Sequence, residues 1–200
     1  MIERVGVFTL TLSFYGGVMN RLKGMACYLC GPMDRVPDGG VVWREDITPQ
    51  LKELGVGVLD PCKKPSEYAT EDQNTRNLIE EHKKNLKFFE VSEIMKPICA
   101  VDLRMVDIAH FLIMYLALDV HMCGSYHEAF VAVGQKKPVL VMCKQGKSNL
   151  PNWLFGALPH QMVFSNWFQL LEYLHHVNSD DVVDHMNRWR FFDFNKVYGV

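Results

Sequence analysis

The sequence predicts a doubly wound α/β protein, a mostly parallel sheet covered on both faces by helices. Short continuous apolar runs bounded by Gly, Pro or Asp, longer mixed-charge stretches between them, and the regular alternation of the two from Met25 onward lead there. A sheet buried on both faces needs apolar strands, and parallel neighbours need crossover helices. Residues 26–30 are the first strand, ended by Gly31-Pro32. Pro37-Asp38-Gly39-Gly40 makes an open loop, and a helix follows over about residues 42–54. A short second strand, 56–59, stops at Asp60-Pro61. Residues 63–73 are polar and irregular, 74–89 have helical composition with mixed charge, and 100–106 form a further helix. Residues 108–118 read as a buried strand, 129–133 start a helix, and 138–142 are the next strand. After a polar loop, 144–152, come a short strand near 162–164 and a helix over 167–176 with Leu170, Leu171 and Leu174 apolar. The aromatic tail, 189–200, is expected to pack back on the body.

A chain of 200 residues, 48% of them hydrophobic, fits one domain with a sizeable core. A net charge of −2 provides no general attraction for nucleic acid or anionic membranes, so neither is expected as a partner, and any anionic ligand must be held by local groups. The six cysteines are scattered, mostly in or beside apolar runs, which suits buried reduced thiols in a cytoplasmic protein. Cys27 and Cys30 form a Cys-x-x-Cys, but strand alternation sends them to opposite faces and no second such pair completes a zinc site. His121, Cys123 and His127 lack a recognisable ligand spacing, so no metal site is expected. Gly146-Lys147-Ser148 resembles the end of a P-loop, yet Val141 stands where that motif needs its first glycine. The apolar run 5–14 is too short to span a bilayer, and Glu3 and the lack of a small-x-small cleavage site argue against a signal peptide. Residues 1–24 are read as an N-terminal extension before a domain over 25–200, with Met19 and Met25 as plausible later starts.

Ligands of parallel sheets gather at the carboxyl ends of the strands, so Tyr28, Gly31, Asp60, Asp119 and residues 124–128 should converge on one rim. The Gly124-Ser125 turn would let a phosphate or sugar approach N–H groups at the start of the next helix. Glu128, on the first turn of that helix, would then face the ligand as a nucleophilic carboxylate; the alternative is an acidic residue stabilised by the helix dipole. Tyr28, ending the first strand, can hydrogen-bond and orient Glu128, while Asp102 donates a proton to a leaving group. Two carboxyl groups in different environments are what acid-assisted displacement at an anomeric carbon requires. For Asp102 the alternative is a helix N-cap. Tyr28, Trp43, Tyr126 and Trp153 favour a dry pocket. Ser125 and the N–H groups of its turn, with Arg44, Arg104 or Lys147, offer a cradle for a phosphate.

Five short motifs in one order resemble the nucleoside 2-deoxyribosyltransferase family, including its phage-type and nucleotide N-glycosidase relatives. They are Tyr28-Leu29-Cys30-Gly31-Pro32, Asp102-Leu103 before an apolar run, Gly124-Ser125-x-x-Glu128, Asn149-Leu150-Pro151-Asn152-Trp153, and Phe192-Asp193-Phe194 near the end. The resemblance covers most of residues 26–200 and implies a Rossmann- or flavodoxin-like three-layer sandwich. By it Glu128 attacks C1′ of a 2′-deoxynucleoside, Tyr28 holds Glu128, and Asp102 protonates or hydrogen-bonds the departing base. Gly31, Trp43, Arg44, Asp119, Gly124, Ser125 and Asn149 are then the expected substrate-binding residues. Asn149 reaches the sugar from an adjacent protomer, which implies a homo-oligomer with shared active sites. The partners implied are a deoxynucleoside or deoxynucleotide and a free nucleobase, with no cofactor, in nucleotide salvage. The chain departs from the family in two places. His110 stands eight residues after Asp102, where the family usually has another Asp, and Asp119 is expected to take over part of that acidic role. The segment 63–96 is longer than in compact members and reads as a lid or an oligomer contact. Two other readings remain beside deoxyribosyl transfer: hydrolysis of deoxynucleoside 5′-monophosphates, and a non-catalytic nucleotide sensor on the same fold.

Overall fold

The computed structural model describes residues 20–64, 69–179, 188–191 and 196. Its five strands are β1 (Ala26–Cys30), β2 (Gly57–Leu59), β3 (Phe111–Leu116), β4 (Val139–Cys143) and β5 (Val163–Phe164). They form one sheet in the order β2-β1-β3-β4-β5, and every pairing is parallel. The helices are α1 (Val41–Glu53), α2 (Gln73–Lys84), α3 (Phe88–Ile108), α4 (Cys123–Gly134), α5 (Asn152–Ala157) and α6 (Trp167–Asn178).

Strand alternation sorts the core into two layers. On one face Cys27, Leu29, Phe111, Ile113, Leu140 and Met142 pack with Trp43, Ile47 and Leu51 of α1 and Leu170 and Leu174 of α6. On the other, Tyr28, Cys30, Leu112, Met114, Val139 and Val141 pack with Met105 and Val106 of α3 and Ala129 and Ala132 of α4. Each fully buried aliphatic side chain contributes about 1.5–3 kcal/mol, and both layers need the sheet's continuous apolar strands. Cys27 and Cys30 therefore lie on opposite faces, as the alternation predicts. The connection after β1 leads outward to β2 through α1, and the one after β3 leads the other way to β4 through α4. The chain thus diverges between β1 and β3, and the crevice at their carboxyl ends is where such sheets hold ligands.

Several boundaries differ from the sequence expectations. The stretches read as separate helices over 74–89 and 100–106 are redistributed: α2 ends at Lys84, and one 21-residue helix, α3, runs from Phe88 through Pro97 to Ile108. Leu86, at φ 57, makes the left-handed break between them. The strand expected from residue 108 starts at Phe111, because α3 absorbs Ile108. Residues 20–24, assigned to the extension, join the body: Leu22 is fully buried in the first layer and its N–H donates to Asn178 Oδ1 at 2.9 Å. Residues 1–19 and most of the tail, including Phe192-Asp193-Phe194, lie outside the described residues. Trp189 of that tail does pack on the body, its ring tilted 52° to that of Phe111 at a centroid distance of 5.2 Å and its indole N–H donating to Tyr173 Oη at 2.8 Å. Among the described residues no helix is long and apolar enough to cross a membrane.

Candidate active site

Tyr28, Asp102 and Glu128 come from β1, α3 and α4 and meet on the second face beneath the crevice. Tyr28 is the middle residue of β1 instead of its last, and its long phenol carries the hydroxyl to the carboxylates. That phenol is fully buried, and burial, Glu128 and Asp102 all hold its proton on. Glu128 is displaced from its expected place: α4 starts at Cys123, so Gly124 and Ser125 form the helix's first turn and Glu128 is its sixth residue. Small residues at a helix start leave backbone donors accessible, and a Gly-Ser pair there is easily misread as a free-standing turn. The dipole explanation of Glu128 fails, since α4 has no acidic residue in its first turn. A helix N-terminus would also lower a carboxyl pKa. Burial instead raises Glu128 to about 7, opposed by hydrogen bonding from Cys30 and Tyr28 and assisted by the nearby charge of Asp102. The N-cap reading of Asp102 fails as well, because it lies well inside α3, whose N-cap is Lys87.

Asp102 is 8% exposed, and burial pushes its carboxyl pKa up against the pull of Lys64. Lys64 Nζ stands 2.9 Å from Asp102 Oδ1 and 3.7 Å from Glu71 Oε2. Burial raises Glu71 to about 7, again opposed by Lys64 and reinforced by Asp34 and Asp102. Lys64 Nζ and Asp102 Oδ1, both buried, have each other as ion-pair partners, and the buried Tyr28 hydroxyl acts on Glu128. Three carboxyl groups, Glu71, Asp102 and Glu128, raised by burial around one buried ammonium are the kind of perturbed cluster that marks a site of chemistry. Sequence reasoning missed Lys64, Glu71 and Cys30. The alternation that separates Cys30 from Cys27 puts it beside Tyr28, a signal present in the sequence. Lys64 and Glu71 come from the irregular segment after β2, whose polar composition resembles any solvated loop.

Other expected site residues have different positions. Arg44 is fully buried and does not face a ligand: it donates to the carbonyls of Leu29 at 3.2 Å, Gly40 at 2.7 Å and Gly31 at 3.1 Å, and pairs with Asp60 at 3.6 Å. A guanidinium's planar fork suits this role of binding the ends of β1 and β2 together. Trp43 lies on the opposite face from Glu128, 8% exposed, with its ring centroid 5.7 Å from that of Trp167 and 5.4 Å from that of Tyr115. Gly31 is explained by that ring, since a Cβ there would stand 2.7 Å from Trp43 Cζ2. Asp119 is exposed, and hydrogen bonds from Lys144 and Gln145 hold its carboxyl below the usual range. Both of its carboxylate oxygens are taken up by Lys144 and Gln145. His110 is at the other end of the sheet, where its Nδ1 accepts from the Ala26 N–H at 2.8 Å, and so it cannot shape a base pocket at the rim.

Gly124 faces open space, and Ser125 is buried with its carbonyl accepting from the Cys30 thiol at 3.2 Å. Asn149 is exposed on the loop after β4 and donates to the Gln145 carbonyl at 2.6 Å. Arg104 is exposed beside Asp107, and Lys147 donates to the His160 carbonyl.

A solved structure of the 2-deoxyribosyltransferase from the psychrotolerant bacterium Bacillus psychrosaccharolyticus is similar to this chain at a TM-score of 0.50 and 15% identity, over 84% of this chain and 98% of that one. A 2-desoxiribosyltransferase from Leishmania mexicana gives a TM-score of 0.46 and 18% identity, over 76% and 97%. The first likeness shows the fold. No protein-family profile matches the chain, and no curated protein matches it either.

Proposed function

We propose that this protein is a nucleoside 2-deoxyribosyltransferase. The observation that carries the reading is the meeting of Glu128 with Tyr28 and Asp102 at the point where the chain diverges between β1 and β3. The ionised Glu128 carboxylate attacks C1′ of a 2′-deoxynucleoside. The C1′–N bond breaks, its electron pair goes to the base, and Asp102 supplies a proton or hydrogen bond to that nitrogen. A second base then attacks C1′ of the glycosyl ester, freeing Glu128 as carboxylate and returning its own proton to Asp102. This is the order of events in retaining glycoside chemistry, with a base in place of water. Tyr28 stabilises the charged form of Glu128 from within the sheet.

Hydrolysis of deoxynucleoside 5′-monophosphates is the second reading. It is favoured by α4's N-terminus, where Met122 provides no side-chain cap and Gly124 opens onto free space. Against it, Arg44 spends its donors on backbone carbonyls, Arg104 sits beside Asp107, and Lys147 binds His160. Transfer from an unphosphorylated nucleoside suits a cluster rich in carboxyl groups better.

The test incubates the purified protein with each 2′-deoxynucleoside and each 5′-monophosphate, with and without a second free base, and resolves the products by chromatography. A new deoxynucleoside formed only with the added base supports transfer. Free base with deoxyribose 5-phosphate moves the assignment to hydrolysis, and binding with no product moves it to a sensor. Asn149 is proposed to reach a neighbouring subunit's sugar, so Asn149→Ala should raise KM several-fold; a fully active monomer would refute that role.

A further inference from the structure

We propose that Lys64 is a positioning residue for Asp102, gripping one carboxyl oxygen from the loop after β2 so that the other is presented to the departing base. The inference rests on the reading of Asp102 given above. Lys64 Nζ lies 2.9 Å from Asp102 Oδ1, its side chain only 3% exposed, and Glu71 competes for the same ammonium from 3.7 Å. A buried ammonium is costly unless paired, and this one is shared between two carboxyl groups, of which Asp102 is the nearer. No exposed lysine offers that hold, because screening by water weakens an exposed pair.

The charged and titratable groups facing this pair come from every element around it. Glu128 of α4 and Asp34 of the loop after β1 add negative charge, and Arg44 of α1 adds positive charge. Tyr28 and Cys30 of β1 and Cys99 of α3 are neutral neighbours whose protons burial retains. Within this set Lys64 is the cation that touches Asp102. Removing it should push the Asp102 pKa up, and removing its competitor by Glu71→Gln should let Lys64 pull the Asp102 pKa down.

Carbon-13 carboxyl titration of the free protein reads Asp102 without turnover, in wild type and in Lys64→Met, Lys64→Arg and Glu71→Gln. The expected result is displacement upward in Lys64→Met, downward in Glu71→Gln, and near-wild-type behaviour in Lys64→Arg. On the deoxynucleoside that the wild type turns over fastest, Lys64→Met should lower kcat about tenfold with KM little changed, the pattern of an interaction made in the transition state. If Lys64→Met does not fold, Lys64→Gln, which also removes the charge, takes its place with the same upward displacement expected. An Asp102 titration that does not move when the Lys64 charge is removed overturns the inference, as does an unchanged kcat in a folded Lys64→Met. A wild type inactive on every deoxynucleoside defeats the functional reading and the base-facing role with it. The titration still decides whether Lys64 governs Asp102.

Discussion

A nucleophilic carboxylate must be ionised, and burial works against Glu128 by raising its pKa to about 7. Below that pH most of the protein holds the neutral acid, so kcat/KM should rise about tenfold per pH unit and level off above neutrality. Tyr28 favours the charged form. Tyr28→Phe should therefore move this limb to higher pH, and a pH–rate profile that does not move would remove Tyr28 from the mechanism. Glu128→Ala should reduce turnover by about a thousandfold or more while circular dichroism stays unchanged, because a covalent step has no substitute nucleophile. Arg44 gives the opposite outcome. It is fully buried and its donors serve Leu29, Gly31 and Gly40, with Asp60 as counter-charge. Arg44→Ala leaves those carbonyls and Asp60 unpaired and should cost about 3–5 kcal/mol in urea unfolding, as expected when one partner of a buried pair is deleted. In sequence Arg44 resembled a phosphate ligand because residue type alone cannot distinguish a guanidinium turned to solvent from one turned to carbonyls.

Two glycines beside strands and helices divide structure from site in the same way. Gly31 follows β1, and a Cβ there would meet the Trp43 ring at 2.7 Å, on the face away from Glu128. Gly31→Ala should destabilise by about 1–3 kcal/mol through overpacking. Gly124 lies in the first turn of α4 with nothing near its Cβ position. Gly124→Ala should stabilise by about 0.4–1 kcal/mol, since alanine loses less entropy on entering a helix. If the deoxynucleoside lies over this turn, the same change should raise KM; stabilisation with unchanged KM would put the substrate elsewhere. The elements themselves were largely legible. β1, β2, β4 and α1 fall within a residue or so of expectation because apolar runs and flanking Gly and Pro specify them. The start of α4 was not, since Cys123 to Ser125 have neither helical propensity nor a capping side chain. The continuity of α3 was not either, because Pro97 resembles a boundary, although the helix runs through it.

The sheet's two faces were legible because alternation acts on every strand at once, and both core layers follow from it. The acidic cluster was legible only in part, for it draws Lys64 and Glu71 from a loop with no periodicity and Cys30 from a strand whose thiol resembles core. What the molecule as a whole gives up for that cluster can be measured. An unfolded glutamate ionises near pH 4.5, whereas Glu128 and Glu71 ionise near 7 in the fold. Between those values the native state holds protons that the unfolded state has lost, so stability falls as pH rises from about 4.5 to 7. Below that window both states are protonated and no penalty applies; above it the penalty is complete. Glu128→Gln keeps the shape and cannot ionise. It should match the wild type at pH 4 and exceed it by on the order of 3 kcal/mol at pH 8, with activity lost. Denaturant unfolding at the two pH values provides the check. A variant no more stable than wild type at pH 8 would mean that Glu128 ionises without strain, and that burial does not hold the nucleophile in reserve.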